Sequence, residues 1–201
     1  MNYQIVLDET LKKLTDTPKL LLHACCAPCS SYVIEYLSKY FDITILYYNP
    51  NIDTKEEFEK RLNELERFVS EFKTERPVKV VSLGYKNSEY FDVVKGLEEE
   101  KEGGARCIKC FNLRLETSCK YAKENNFDYF TTTLTISPLK NSKVINEIGH
   151  ELEVKYNMPY LYSDFKKREG YKRSIELSHI YNLYRQDYCG CKFSKRKDIY
   201  E

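Results

Sequence analysis

The stretch Leu20-Leu21-Leu22-His23-Ala24-Cys25-Cys26-Ala27-Pro28-Cys29-Ser30 decides the fold. Its opening run, Leu20–Ala24, has the length and composition of a strand buried on both faces. The run passes without a glycine into Pro28, a residue suited to the first turn of a helix. A helix is therefore expected from Pro28–Ser31 to Tyr40, so a strand feeds a helix through a very short loop. The same alternation continues along the chain, with strands expected at Leu20–Ala24, Ile43–Tyr48, Val78–Leu83, Tyr129–Thr135 and Tyr160–Ser163. The clearest helix follows the second strand. Thr54 and Glu57 form a capping box, and Phe58, Leu62, Leu65, Phe68 and Phe72 recur at three- and four-residue steps. Further helices are expected at Ser88–Glu100, Cys107–Asn125, Ser142–Tyr156 and Ser174–Tyr184. The pattern predicts a single α/β domain over residues 1–201, built on a five-stranded, mostly parallel sheet with flanking helices.

Composition narrows the function. With 42% hydrophobic residues the chain can fill a core. Its 32 basic and 31 acidic residues nearly cancel, so no global field advertises a nucleic-acid or membrane partner. The longest apolar run, Leu20–Ala27, is interrupted by His23 and is too short to cross a bilayer. The stretch up to Pro18 carries Asp8, Glu9 and Asp16, which is unlike a secretory signal. A cytoplasmic protein without a membrane partner is expected. Only the C-terminal segment departs from neutrality: from Lys166 to Glu201 there are ten Lys/Arg against five Asp/Glu.

The eight cysteines are the anomaly. In a reducing compartment clustered thiols point to metal or redox chemistry more than to disulfides. Cys25, Cys26 and Cys29 sit at the carboxyl end of the first strand, where open α/β sheets bind ligands and where the next helix presents its N-terminus. That dipole favours thiolate, the form that binds metal. The loop lacks the glycines that a phosphate cradle needs. Arg106-Cys107-Ile108-Lys109-Cys110 places a C-x-x-C at a helix start, and Tyr188-Cys189-Gly190-Cys191 is a C-x-C whose glycine allows a turn. Cys119 shares a stripe with Phe111 and Leu115 and reads as core. The other seven thiols exceed the four that one zinc or one four-iron cluster requires, so either some are spare or there are two centres. His150 and His179 fall in amphipathic helices and read as surface or core residues. Asn49-Pro50-Asn51, Thr131–Thr135 with Ser137-Pro138-Leu139-Lys140, and Asp164-Phe165-Lys166-Lys167 end other strands and converge on the same sheet edge.

Taken in order, these motifs carry a resemblance. His23-x-Cys25-Cys26-Ala27-Pro28-Cys29, Asn49-Pro50-Asn51, Arg106-Cys107-x-x-Cys110-Phe111-x-x-Arg114-Leu115, Thr131–Leu134 and Ser137-Pro138-x-Lys140 resemble the QueH family. So do Asp164-Phe165-Lys166-Lys167, Gly170-Tyr171-x-Arg173-Ser174 and Tyr184-Arg185-Gln186-x-Tyr188-Cys189-Gly190-Cys191. The match runs from about Leu20 to Ser194. QueH proteins are cobalamin-independent epoxyqueuosine reductases, similar in fold to the adenine-nucleotide hydrolase-like (HUP-like) α/β proteins. The resemblance implies reduction of epoxyqueuosine to queuosine at the wobble position of tRNA, with a [4Fe–4S] cluster, a nearby second iron and an external electron donor.

With that implication, the spacings suggest that Cys107, Cys110, Cys191 and one of Cys25 or Cys26 (Cys26 by preference) hold the cluster. Cys29, Cys189 and the remaining adjacent cysteine then hold the second ion, the C-terminal basic segment 166–201 supplying Cys189 and Cys191. Asp164, Tyr171 and His23, in that order, are candidate proton donors. Lys140, Lys166, Lys167, Arg168, Lys172, Arg173, Arg185, Lys192, Lys195 and Arg196 are candidate phosphate contacts. A rival reading makes the cysteines structural zinc ligands in a nucleic-acid-binding protein without redox activity. A nucleotide-dependent tRNA-modifying enzyme is a third, disfavoured by the glycine-free first loop.

Overall fold

Leu20, Leu21 and Leu22 are all buried because both faces of their strand are covered. The computed structural model, which describes residues 1–195, places them in β1 (Lys19–His23). β2 (Asp42–Tyr47) lies on one side of β1 and β4 (Tyr129–Thr132) on the other, while β3 (Lys79–Ser82) pairs with β2. All pairings are parallel, in the order β3-β2-β1-β4, with Leu22 opposite Ile45 and Thr131.

Alternation along β1 sends successive leucines to opposite layers. Leu20 and Leu22 pack with Val33, Ile34 and Leu37 of α2 (Ala27–Leu37) and with Phe58, Leu65 and Phe68 of α3 (Lys55–Glu71). Leu21 joins Phe111 and Leu115 of α5 (Ala105–Glu124) and Ile145, Ile148 and Leu152 of α6 (Ser142–Tyr156). The helices follow local chemistry. The Thr54 hydroxyl accepts the Glu57 amide at 3.2 Å, and Asn141 accepts the Lys143 and Val144 amides at the start of α6. The expected helix over Ser88–Glu100 is cut to α4 (Asn87–Val94), because Lys95 leaves helical geometry and Gly96 takes φ +83°. The helix expected from Ser174 to Tyr184 is α7 (Gly170–Ile180). It ends where Asn182 turns left-handed and the Leu183 amide closes back onto the Ser178 carbonyl. One helix went unforeseen: α1 (Tyr3–Lys12), capped by Asn2 and docked through Leu7 and Leu11.

The expected fifth strand over Tyr160–Ser163 is corrected to a single bridge between Tyr160 and Phe130. The Phe130 amide donates to the Pro159 carbonyl and the Leu161 amide to the Phe130 carbonyl, but the ladder stops there. β4 gives way to a 3₁₀ turn at Thr133–Ile136, and side chains take over the next backbone groups. Thr131 Oγ1 donates to the Leu161 carbonyl, and Asn146 bonds both the amide and the carbonyl of Ser163.

Close packing against this edge makes Gly149 of α6 irreplaceable. A Cβ there would lie 2.3–2.5 Å from the Tyr160 ring, itself buried at the sheet edge. Alanine would improve helix propensity by about 1 kcal/mol at most, while the clash costs about 1–3 kcal/mol. Gly149→Ala should therefore lower the urea midpoint, and an unchanged or raised midpoint would refute the packing argument.

Candidate metal centre

The sheet order reverses between β1 and β4, and the carboxyl ends of these strands open a crevice of the kind that binds ligands in α/β proteins. Cys26 is the N-cap of α2, with Cys25 before it and Cys29 in the first turn. Their three sulfurs lie within 4.8 Å of one another, Cys25 and Cys26 at 3.7 Å. Two sulfurs on one tetrahedral ion at ~2.3 Å stand roughly 3.8 Å apart, so this trio could hold a metal ion. Hydrogen bonds from Cys26 and Cys29 push the Cys25 thiol well below its ordinary pKa, whereas Cys26 is raised to about 12. Gln186 Nε2 donates to the Cys26 sulfur at 2.8 Å.

The C-x-x-C opens α5, where the Gly103 amide donates to the Cys107 sulfur at 3.2 Å. Gly190, at φ +105°, turns the C-x-C loop so that Cys189 and Cys191 face the same cavity. The Cys191 sulfur meets the Tyr90 hydroxyl at 2.8 Å, and Cys189 meets the Ser194 hydroxyl at 3.0 Å. Cys107, Cys110, Cys189 and Cys191 line a cavity of about 130 Å³. Cys25 and Cys29 line an adjoining cleft of about 300 Å³ with Tyr171, Arg185 and Gln186. Cys189, Arg114 and Lys140 lie on both walls, so the three thiol segments meet at one place. All eight cysteines are free. Cys119 is buried between α5 and α6, as its stripe predicts.

Two buried arginines fix the loops. Arg114 donates to Asn49 Oδ1 at 2.6 Å, its Nε lies 3.3 Å from His23 Nε2, and it also reaches Cys110. Arg61, 1% exposed, bonds Glu57 at 2.6 Å and donates to the Cys189 and Tyr188 carbonyls at 3.3 and 3.4 Å. Arg61 carries no motif of its own in the sequence; its one signal is its place three residues after Phe58 and four before Leu65, on the apolar face of α3.

A sequence model described as Epoxyqueuosine reductase QueH matches residues 20–197. The chain belongs to the QueH family. Relatives named Epoxyqueuosine reductase QueH include one from Staphylococcus epidermidis, 45% identical over 98% of this chain and 87% of its own length. Another, from Streptococcus pyogenes, is 45% identical over 98% of this chain and 79% of its own length. A third, from Thermotoga maritima, is 33% identical over 87% of this chain and 89% of its own length.

Within this QueH site, the candidate proton donors fall in different places. Tyr171, 37% exposed, lines the cleft. Asp164, 7% exposed, is held by Lys166 at 2.7 Å and accepts from Ser142 at 3.2 Å, away from both cavities. His23 is fully buried beneath the thiol loop, with Nδ1 at 2.8 Å from Thr132 Oγ1 and Nε2 at 3.1 Å from the Tyr48 carbonyl. The basic set is largely paired: Arg168 with Asp8, Arg173 with Glu35 and Glu176, Lys172 with Glu169, and Lys195 with Asp53. Lys192 lies over the Phe91 and Phe193 rings. Arg185 is exposed at the cleft, Lys167 is exposed nearby in sequence to Asp164, and neither has a carboxylate partner among the described residues. Arg196 lies outside the described residues. No helix among the described residues is long and apolar enough to cross a membrane.

Burial, then the positive charge of Arg114, lowers the His23 pKa to about 3. The unfolded chain binds that proton near pH 6.5, so between these values the unfolded state holds more protons and stability falls as pH falls. The deficit from this group should reach about 2 kcal/mol by pH 5. Urea midpoints from pH 7 to pH 5 should fall in the native protein and less in His23→Gln; equal slopes would refute this. Gly190→Ala is expected to damage the thiol site directly. Its Cβ would lie 2.9 Å from Ile52 Cγ1 and 3.2 Å from Arg61 Nη1, at a φ that side chains avoid. A stability loss of about 1–3 kcal/mol and reduced metal uptake should be seen by thermal melting and metal analysis.

Proposed function

We propose that the chain is an oxidoreductase that reduces the epoxide of epoxyqueuosine, at the wobble position of tRNA, to the alkene of queuosine. The observation that carries this reading is the convergence of six free thiols on the walls of the crevice between β1 and β4, with Cys26 buried beside Cys25 and Cys29, in a chain of the QueH family. Removing the epoxide oxygen as water consumes two electrons and two protons, so the site needs an electron carrier, a proton source and room for a base. Sulfurs that accept hydrogen bonds, as Cys26 and Cys107 do, suit bound metal, because such bonds tune the ligands. We assign Cys107, Cys110, Cys189 and Cys191 to a [4Fe–4S] cluster, and Cys25, Cys26 and Cys29 to a second ion, iron. The shared cavity of the first four and the close approach of the last three support this division, which differs from the one suggested by spacing in moving Cys189 to the cluster and both adjacent cysteines to the ion. When bound, the cluster supplies electrons singly from an external donor, and the ion supplies Lewis-acid character.

The protein's own groups do the rest. The 300 Å³ cleft has room for a nucleobase taken out of its stack, with Leu134, Ile136 and Pro138 as its apolar wall. Tyr171 stands where a proton can be delivered to the leaving oxygen. His23 keeps Arg114 in place, and Asp164 orders the loop after the sheet edge. Arg185 and Lys167 are free to meet phosphates on either side of the target base. Strand order β3-β2-β1-β4, continued by the Tyr160 bridge, supports an adenine-nucleotide hydrolase-like scaffold in one domain; a tRNA substrate is what suggests work in the cytoplasm. A structural zinc protein is the second reading, and it is disfavoured because seven thiols exceed the four ligands that one structural zinc takes and because the relatives this chain matches are named as reductases.

Protein purified without oxygen should show a broad band near ~400 nm that dithionite bleaches, as expected for Cys-ligated iron–sulfur centres, and should convert epoxyqueuosine-containing tRNA. Cys29→Ser should lose one iron and no sulfide, whereas Cys110→Ser should lose the sulfide. A colourless protein holding only zinc, still colourless after iron and sulfide are supplied, would leave the structural reading in front.

A further inference from the structure

At the lip of the crevice two neighbouring residues, Leu139 and Lys140, line both cavities. Leu139 is 76% exposed, whereas Lys140 is half-buried. The turn that carries them is held by the Lys140 amide donating to the Ser137 carbonyl at 3.2 Å and the Leu139 amide donating to Ser137 Oγ at 3.3 Å. A lysine ammonium partly withdrawn from water is unfavourable unless it finds a counter-charge. No carboxylate provides one: among the described residues Lys140 forms no ion pair, and neither does Arg114, the other cation on both walls. Glu102 also lines both cavities, but it is exposed and pairs with neither. What faces Lys140 is sulfur. Cys25, Cys29 and Cys189 share these walls with it.

We propose that Lys140 is a positioning residue for the reaction: its ammonium, set where the two thiol-lined cavities join, is the counter-charge of both thiol groups and raises the reduction potential of the centre they hold. The inference rests on the metal reading above. A thiolate-ligated cluster becomes more negative by one charge when it accepts an electron. A fixed cation beside it stabilises the reduced form more than the oxidised form. Lys140 serves both groups because it shares the wall of each cavity with Cys189 and that of the cleft with Cys25 and Cys29. A lysine committed in this way is not available to a phosphate, and the reading that makes Lys140 a phosphate contact predicts a different phenotype.

The test compares native protein, Lys140→Gln and Lys140→Arg, each loaded with iron and sulfide without oxygen. Three properties are measured: iron per chain, midpoint potential from dye-mediated titration, and the salt dependence of binding to unmodified tRNA. The expected result is a potential shifted to more negative values in Lys140→Gln and restored in Lys140→Arg, with the salt dependence of tRNA binding unchanged. Loss of iron in Lys140→Gln that Lys140→Arg restores also supports the charge role. A native potential in Lys140→Gln, with weaker tRNA binding and a shallower salt slope, would overturn the inference in favour of a phosphate contact. Loss of iron in both variants would overturn it in favour of a steric role. Native protein that takes up no iron and sulfide would bring down the metal reading itself, and this inference with it.

Discussion

The site depends on the buried guanidinium of Arg114. A charge withdrawn from water must be compensated by its surroundings, and Arg114 is compensated by ends of secondary-structure elements and not by a carboxylate. Asn49, just beyond β2, accepts from it; His23, the last residue of β1, lies beside it; Cys110, one turn earlier on α5, is within reach. Asn49 then donates to the Ala24 carbonyl at 2.9 Å, fastening the loop that carries Cys25 and Cys26. Arg61 plays the same part for the third thiol segment, with Asn51 donating to the same Cys189 carbonyl at 3.3 Å. Loops that carry metal ligands have little regular structure of their own. Their precision comes from side chains planted on rigid helices and strands.

Much of this was legible in the sequence, and the exceptions have physical reasons. Leu20–Ala24 is unambiguous because a run buried on both faces needs no partner to identify it. The stripe and N-cap of α3 are equally plain, since period and capping agree. Tyr160–Ser163 reads as a strand because its apolar pattern is that of the sheet edge it packs against. Whether it pairs is decided by Asn146 and Thr131, residues remote in sequence that satisfy its backbone instead. α1 buries only Leu7 and Leu11 among its apolar residues and leaves Ile5 exposed, so its apolar pattern has no clean helical stripe to distinguish ten residues from a loop.

The thiol motifs were visible one by one; their grouping was not. Spacing says which cysteines are near each other along the chain, and Cys25, Cys26 and Cys29 are indeed within reach of one ion. Which distant pair shares a cavity depends on how α5 and the Gly190 loop cross, and no local pattern encodes that. The basic C-terminal segment misleads for the complementary reason. Its lysines and arginines are conspicuous along the sequence, yet their partners Asp8, Glu35 and Asp53 come from far upstream, and a charge count along one segment cannot see them.

A net charge of +1 hides a strongly polarised centre. The N-cap residues of α2 and α5, Cys26 and Gly104, make no side-chain cap, and the positive ends of both dipoles face the thiol segments. Glu100 Oε2 accepts the Ala105 amide at the start of α5, and just ahead of the helix the Gly103 amide donates to the Cys107 sulfur. Arg114 and Lys140 add two full cations on the same walls. Hydrogen bonds from neighbouring cysteines push the Cys25 and Cys189 thiols well below their ordinary pKa, and the charge of Lys140 adds to both, whereas burial pushes Cys107 and Cys110 up. The crevice thus sorts its thiols one by one, through burial, hydrogen bonds and single cations, and a net charge summed over the chain carries no trace of that sorting.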